Sequence, residues 1–285
     1  MKLVKDKNDF LKKKYKKFIE KPKKNKIKHK NLKEVNREFN KEEWRDLYST
    51  IIKKNYNYIQ EVDNQYNNLN KQSYFYFKKN FYKNNNKYII NKYIKFYSHT
   101  IKKYLDKNKK NNLVELGSGY GSKIINLYYV LKNNYDINYF AGELSLNGRR
   151  ITNHLSMNDN LKIKSFKFNF LDKNTYSKIP LNSILFTSYS MHYMYKIDRN
   201  LFANLKKRKP IIIINFEPLY EIHNSKTLYG ELCKNYIISN GYCINQYSFM
   251  NKKKENKEIK ILNISKNFFG SNPLLPLSEI VWKFT

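Results

Sequence analysis

The stretch Val114-Glu115-Leu116-Gly117-Ser118-Gly119-Tyr120-Gly121 constrains this chain of 285 residues more than any other. A short apolar run carries an acid and is followed by three glycines at alternate positions, which reads as a strand turning into a ligand-binding loop. Residues without side chains let a backbone turn tightly and approach a ligand closely. A helix is expected from Ser122 through Lys123-Ile124-Ile125-Asn126-Leu127, with its N-terminal amides aimed at that ligand. The dinucleotide pattern G-x-G-x-x-G requires glycine or alanine where Ser122 stands, whereas E-x-G-x-G-x-G is met at Glu115, Gly117, Gly119 and Gly121. A carboxylate beside the loop would repel a pyrophosphate and suits a cationic cofactor.

Further elements follow in register. Asn138-Tyr139-Phe140-Ala141-Gly142-Glu143 reads as a second strand. It ends in an acid roughly two dozen residues beyond the loop, where a carboxylate accepts the hydroxyls of a ribose. A third strand alternates Phe166, Phe168 and Phe170 with Ser165, Lys167 and Asn169 and runs into Leu171-Asp172. A fourth, Ser183-Ile184-Leu185-Phe186-Thr187, ends in Ser188-Tyr189-Ser190-Met191-His192-Tyr193. Taken singly, Glu143 and Asp172 read as solvated loop acids, since turns are rich in them. Their joint spacing behind strand-like runs favours a site. Arg149 and Arg150 read as surface charges on the helix after Glu143.

From Leu113 to the C-terminus this order of parts resembles the class I S-adenosylmethionine-dependent methyltransferases, small-molecule type. The resemblance implies S-adenosylmethionine as cofactor, with Glu115, Gly117, Gly119 and Gly121 around its methionine end and Glu143 on its ribose. It also implies Asp172 on the adenine amino group, Leu171 packed on the ring, and Ser188 in the loop between cofactor and substrate. No metal is implied. The implied fold is a Rossmann-like, doubly wound, mostly parallel seven-stranded α/β sheet with one antiparallel strand, preceded by an N-terminal helical region.

The C-terminal half fits. Lys209-Pro210-Ile211-Ile212-Ile213-Ile214-Asn215-Phe216 has the continuous apolar character of a buried parallel strand and ends at Glu217-Pro218. A helix is expected over about 226–239. Strands over Cys243 to Met250 and Glu258 to Phe268 are expected to form an antiparallel hairpin around the lysine-rich turn at 251–256. The apolar tail from Asn272 to Trp282 is expected to pack back on the domain. A poorly acidic acceptor wants a base, and His192, just past the fourth strand, suits proton abstraction near neutral pH. Glu217 is the second candidate. Tyr193, Glu221 and His223 are candidate substrate contacts.

Amino-directed nucleic-acid methyltransferases usually carry [D/N]-P-P-[Y/F] after the fourth strand, where this chain has Ser188-Tyr189-Ser190-Met191. Cys233 and Cys243 are not placed for a base-C5 nucleophile. Small-molecule methylation remains by elimination, with O-methylation in sugar or secondary-metabolite biosynthesis the leading reading. RNA methylation, with the lysine-rich N-terminus as docking arm, is the alternative. So is a non-catalytic partner subunit that keeps the fold.

A net charge of +33 ordinarily points to nucleic acid or an anionic membrane. Here the excess is almost entirely lysine and travels with abundant Asn, Ile, Tyr and Phe, while alanine occurs only at Ala141 and Ala203. That pattern marks an AT-rich coding sequence, and a selected nucleic-acid surface would have kept more arginine. Residues 1–40 are lysine-dominated and expected to be partly mobile through self-repulsion, with no fold assigned to 1–35. Residues 41–108 form a helical cover, with Trp44, Leu47, Ile51 and Ile52, then Tyr88, Ile89, Tyr93, Ile94 and Tyr97, at helical spacing. The aromatic run Tyr74-Phe75-Tyr76-Phe77 reads as pocket lining or core, and the catalytic domain spans 109–285. Without an apolar leader stretch or a membrane-length run, and with only two cysteines, a cytoplasmic location is expected.

Overall fold

The computed structural model describes residues 1–19, 32–106, 108–194 and 196–285. Its centre is a parallel sheet built from β4 (Asn111–Leu116), β5 (Ile137–Glu143), β6 (Ile163–Lys167), β7 (Ile184–Ser188) and β8 (Ile212–Pro218). Every residue of β7 and β8 is buried, because helices cover both faces and each strand must be apolar on both sides. The connecting helices are α6 (Ser122–Leu131), α7 (Leu146–Asn158), α8 (Arg199–Lys206) and α9 (Leu228–Ser239).

The expected hairpin at 243–268 is corrected. Residues 246–255 form a helix, α10 (Gln246–Glu255), and the hairpin pairs β9 (Ile259–Gly270) with β10 (Leu277–Phe284). Within 246–255 the buried residues are Gln246 and Met250, four apart, which is a helical spacing. The lysines that follow are good helix formers. The C-terminal tail is the reversed strand itself. β10 lies antiparallel between β8 and β9 and is buried from Leu277 to Trp282. The strand order β6-β5-β4-β7-β8-β10-β9 is therefore seven strands with one reversed.

The N-terminal third is less purely helical than expected. It contains α2 (Leu32–Asn36), a π-helical segment (Arg37–Glu43), α3 (Trp44–Lys54), α4 (Ile59–Asn67) and α5 (Asn86–Lys102). It also contains a hairpin of β2 (Gln72–Phe77) and β3 (Asn80–Asn85), which pairs with β9 and, together with a short N-terminal strand, widens the sheet to ten strands. Alternating aromatics over 74–77 satisfy a strand as readily as a helix. Residues 2–18 also have structure. Strand β1 (Lys2–Leu3) pairs with β3, and α1 (Lys7–Lys14), capped by Asp6, buries Leu11 in a cluster with Leu232 and Cys233 of α9. The lysine-rich stretch 20–31 lies outside the described residues. No described helix is long and apolar enough to cross a membrane.

Candidate active site

The glycine loop joins β4 to α6 at the carboxyl edge of the parallel sheet. Gly117 has φ of 78°, and a Cβ there would stand 2.4 Å from the Cβ of Ser190, so only glycine fits between the two loops. Glu143 ends β5 beside it. Its Oε2 accepts from the amide of Gly119 at 2.8 Å and its Oε1 from the amide of Ser145 at 2.8 Å. Burial raises its carboxyl above the ordinary value, opposed by the amides of Ser145 and Gly119 and by the Arg149 guanidinium. Arg149 is more than a surface charge, since it donates to the carbonyls of Glu143 and Leu144 at 2.9 and 2.7 Å and fixes the strand end.

These groups face one cavity of about 900 Å³. Loop residues Gly117, Ser118 and Gly119, with Glu143, line one end. The hydroxyl of Ser118 is buried there without a hydrogen-bond partner. Asn169, Phe170 and Leu171 line it beyond β6, and Ser188, Tyr189, Ser190 and Tyr193 beyond β7. The cover contributes Phe39, Trp44, Tyr66, Tyr93 and Tyr97. Tyr97 stacks on Phe216 at 4.1 Å and its hydroxyl meets the Ser188 hydroxyl at 2.7 Å. Tyr189 has φ of 50°, a strained conformation for a non-glycine residue and of a kind that clusters at ligand sites. Among the described lining residues the charged side chains are Lys123, Glu143 and Lys196.

Several expected residues stand elsewhere. Glu115 is fully buried, outside the cavity lining; its Oε2 accepts from the amide of Ile124 at 3.1 Å and its Oε1 has no partner. Burial pushes its carboxyl up to about 8, the Lys123 charge acting against the shift. Gly121 begins α6 with φ of 84° and is also outside the lining. Asp172 caps the turn at Lys173–Lys178 through the amide of Asn174 at 3.0 Å. His192 and Glu217 are buried behind the loop after β7, 3.4 Å apart. Glu217 accepts from the amides of Ser190 and Met191 at 3.1 Å each, so it holds that loop in place. Glu221 caps α10 from a distance, accepting from the amides of Tyr247 and Ser248 at 2.7 Å each. His223 is buried, its Nε2 unpartnered, and burial lowers its pKa to about 4. Neither Glu221 nor His223 lines the cavity.

A reversed strand inside a doubly wound sheet, with a glycine loop and an acid at the ends of its first two strands, defines the class I methyltransferase type of Rossmann-like fold. The chain is similar to several solved structures, each at low sequence identity. One is the geranyl diphosphate C-methyltransferase of Streptomyces coelicolor A3(2) with Mg2+, geranyl diphosphate and S-adenosyl-L-homocysteine, at 10% identity, 61% of this chain, 73% of that chain and TM-score 0.42. Another is M. capricolum TrmK with S-adenosyl-homocysteine, at 12% identity, 67% of this chain, 68% of that chain and TM-score 0.39. The pyocyanin biosynthetic protein PhzM matches at 12% identity over 66% of this chain and 54% of that chain, with TM-score 0.47. No protein-family model matches the chain, and no curated protein sequence matches it significantly.

Proposed function

We propose that this protein is an S-adenosylmethionine-dependent methyltransferase acting on a small, largely apolar acceptor. The observation that carries the reading is that the glycine loop and Glu143 line a cavity whose wall also carries, among the described residues, ten aromatic side chains, Trp44, Tyr97 and Tyr193 among them. Its volume of about 900 Å³ lies at the upper end of small-molecule pockets, which suits a nucleoside cofactor and an acceptor side by side. The unpartnered Ser118 hydroxyl and the two Glu143 oxygens are polar groups of the kind such a cofactor would engage. When bound, the cofactor supplies a methyl group activated by a sulfonium.

The residues of this chain then align the acceptor and exclude water. Glu143 would hold the ribose, Gly117 and Gly119 admit the methionine end, and Leu171 and Phe170 flank the base. Tyr193, Tyr189 and Tyr97 orient the acceptor. Because His192 and Glu217 lie outside the lining, the favoured acceptor needs no proton removed by the protein. An amine, or a hydroxyl already ionised in solution, meets that condition; O-methylation of a poorly acidic sugar hydroxyl is less well supported. RNA methylation finds little support, since Lys123 and Lys196 are the lysines on the cavity wall among the described residues.

Calorimetric titration with S-adenosylhomocysteine and with NAD tests the cofactor reading. Binding of the first and not the second is expected, and the reverse would overturn it.

A further inference from the structure

The carboxylate most deeply embedded between the helical cover and the sheet domain is Asp63, on α4, only 3% exposed. Its Oδ1 accepts from the Tyr120 hydroxyl and from the Ser122 hydroxyl at 2.7 Å each, and its Oδ2 from Asn126 Nδ2 at 3.2 Å. Tyr120 and Ser122 flank Gly121 in the glycine loop and both line the cavity. The Tyr120 hydroxyl in turn accepts from Asn67 Nδ2 of the same helix at 3.1 Å. Its ring packs edge-on against Trp44 and Tyr66 of the cover, at 5.2 and 5.3 Å, and the Trp44 ring lies over Gly119.

We infer that Asp63 is a positioning residue that couples docking of the helical cover to binding of the nucleoside cofactor, making the two one equilibrium. The inference rests on the cofactor reading above. Its physical basis is where the carboxylate's partners lie. A carboxylate taken from water carries a desolvation cost that its hydrogen bonds must offset, and burial does raise the Asp63 carboxyl while its three donors oppose the rise. One of those donors, Tyr120, belongs to the loop whose backbone faces the cavity, and the other two, Ser122 and Asn126, to the first two turns of α6 that the loop leads into. Any cofactor that orders the loop therefore orders the acceptor set of α4 as well, and by reciprocity a docked cover favours the cofactor-binding form of the loop. The cover has a second tie at the other side of Glu143. Asn40 of the π-helical segment accepts from the Ser145 hydroxyl and the Asn147 amide at 3.1 and 3.0 Å. Removing Asp63 therefore loosens the glycine-loop side of the cover, where the Asn67 hydrogen bond and the Trp44 and Tyr66 rings remain, and leaves the side beside Glu143 attached.

The test is binding of S-adenosylhomocysteine to the full chain and to Asp63→Ala, read by calorimetry, together with hydrogen exchange over 59–67. In the wild type the ligand should slow exchange in that helix. In Asp63→Ala affinity should fall about tenfold, toward the low end of measured couplings between sites, and the ligand should no longer protect the helix. Asp63→Asn keeps an oxygen for Tyr120 and Ser122 and should recover part of both effects. If Asp63→Ala does not fold, Tyr120→Phe removes one of the three donors, keeps the ring and should shift affinity and protection in the same direction by a smaller amount. A folded Asp63→Ala that binds the ligand as tightly as wild type, or a wild type that binds it without protecting 59–67, overturns the inference and leaves the cofactor reading standing. A wild type that does not bind the ligand at all overturns both.

Discussion

Replacing Glu115 with glutamine should stabilise the protein at neutral pH. Burial holds the Glu115 carboxyl at about 8 in the fold, against 4.5 ordinarily. The folded chain therefore keeps a proton that the unfolded chain has released, and the folded state is favoured most below pH 4.5. That margin shrinks as pH rises toward 8 and is then exhausted. At about 1.4 kcal/mol per pH unit, about 3 kcal/mol is forgone by pH 7. Glutamine is permanently neutral, and its oxygen can still accept from the Ile124 amide. Its amide NH2 lacks a partner, as does the hydroxyl of the protonated acid, so that defect is common to both. Urea unfolding at pH 5, 6, 7 and 8 should show Glu115→Gln gaining on wild type steadily, with the two curves converging toward pH 4.5. A difference that does not change with pH would mean that Glu115 is ionised in the fold. It would then be the anion beside a cationic cofactor that the sequence pattern first suggests.

Three other substitutions separate the cavity from what lies behind it. Gly148, on the first turn of α7, has no room for a side chain, because a Cβ would stand 2.7 Å from the carbonyl oxygen of Gly119 and 3.1 Å from Cγ of Glu143. Overpacking of this kind costs about 1–3 kcal/mol. Since the displaced atoms are a loop carbonyl and the Glu143 side chain proposed to hold the ribose, Gly148→Ala should weaken S-adenosylhomocysteine binding about tenfold, measured by calorimetry. His192→Gln should leave that affinity unchanged, whereas Glu217→Gln puts an amide NH2 in place of one carboxyl oxygen beside the donating amides of Ser190 and Met191 and should cost about 2 kcal/mol in urea unfolding. A drop of ~100-fold in turnover for His192→Gln at unchanged stability would restore the histidine as general base.

The strands that carry the site were legible because each is short and either apolar or alternating, and β4, β5 and β8 end at or beside a glycine or an acid. Residues 184–188 and 212–218 are buried on both faces, and such runs admit few alternatives. The cavity end at Gly117, Gly119, Glu143 and Leu171 was legible for the same reason. What the linear pattern could not show was direction. Glu115 alternates with its neighbours in the strand, and only the packed helix α6 shows that its carboxylate turns to the Ile124 amide and away from the cavity. Glu217 and Glu221 look alike as acids after a strand, and both serve backbone amides of other elements far along the chain. The C-terminal strand was missed because Pro273 and Pro276 precede it and suggest an irregular tail, although both prolines lie outside 277–284. Trp44, Tyr97, Asp63 and Asn40 reach the site from elements distant in sequence. Among them the helical spacing of Trp44, Leu47 and Ile51 and that of Tyr93, Ile94 and Tyr97 signalled buried faces, while nothing local marked Asp63 as the acid that meets the glycine loop.

The proposed cofactor site rests most directly on Glu143. Its two oxygens are anchored by the amides of Gly119 and Ser145, which fixes the carboxylate toward the cavity. Each hydrogen bond it would accept from a ribose hydroxyl is worth ~1.5–3 kcal/mol when the acceptor is charged. Calorimetric titration of S-adenosylhomocysteine into wild type and Glu143→Ala should therefore show at least a tenfold loss of affinity in the variant. Equal affinities in the two proteins would place the ligand elsewhere and contradict the cofactor site described for this cavity.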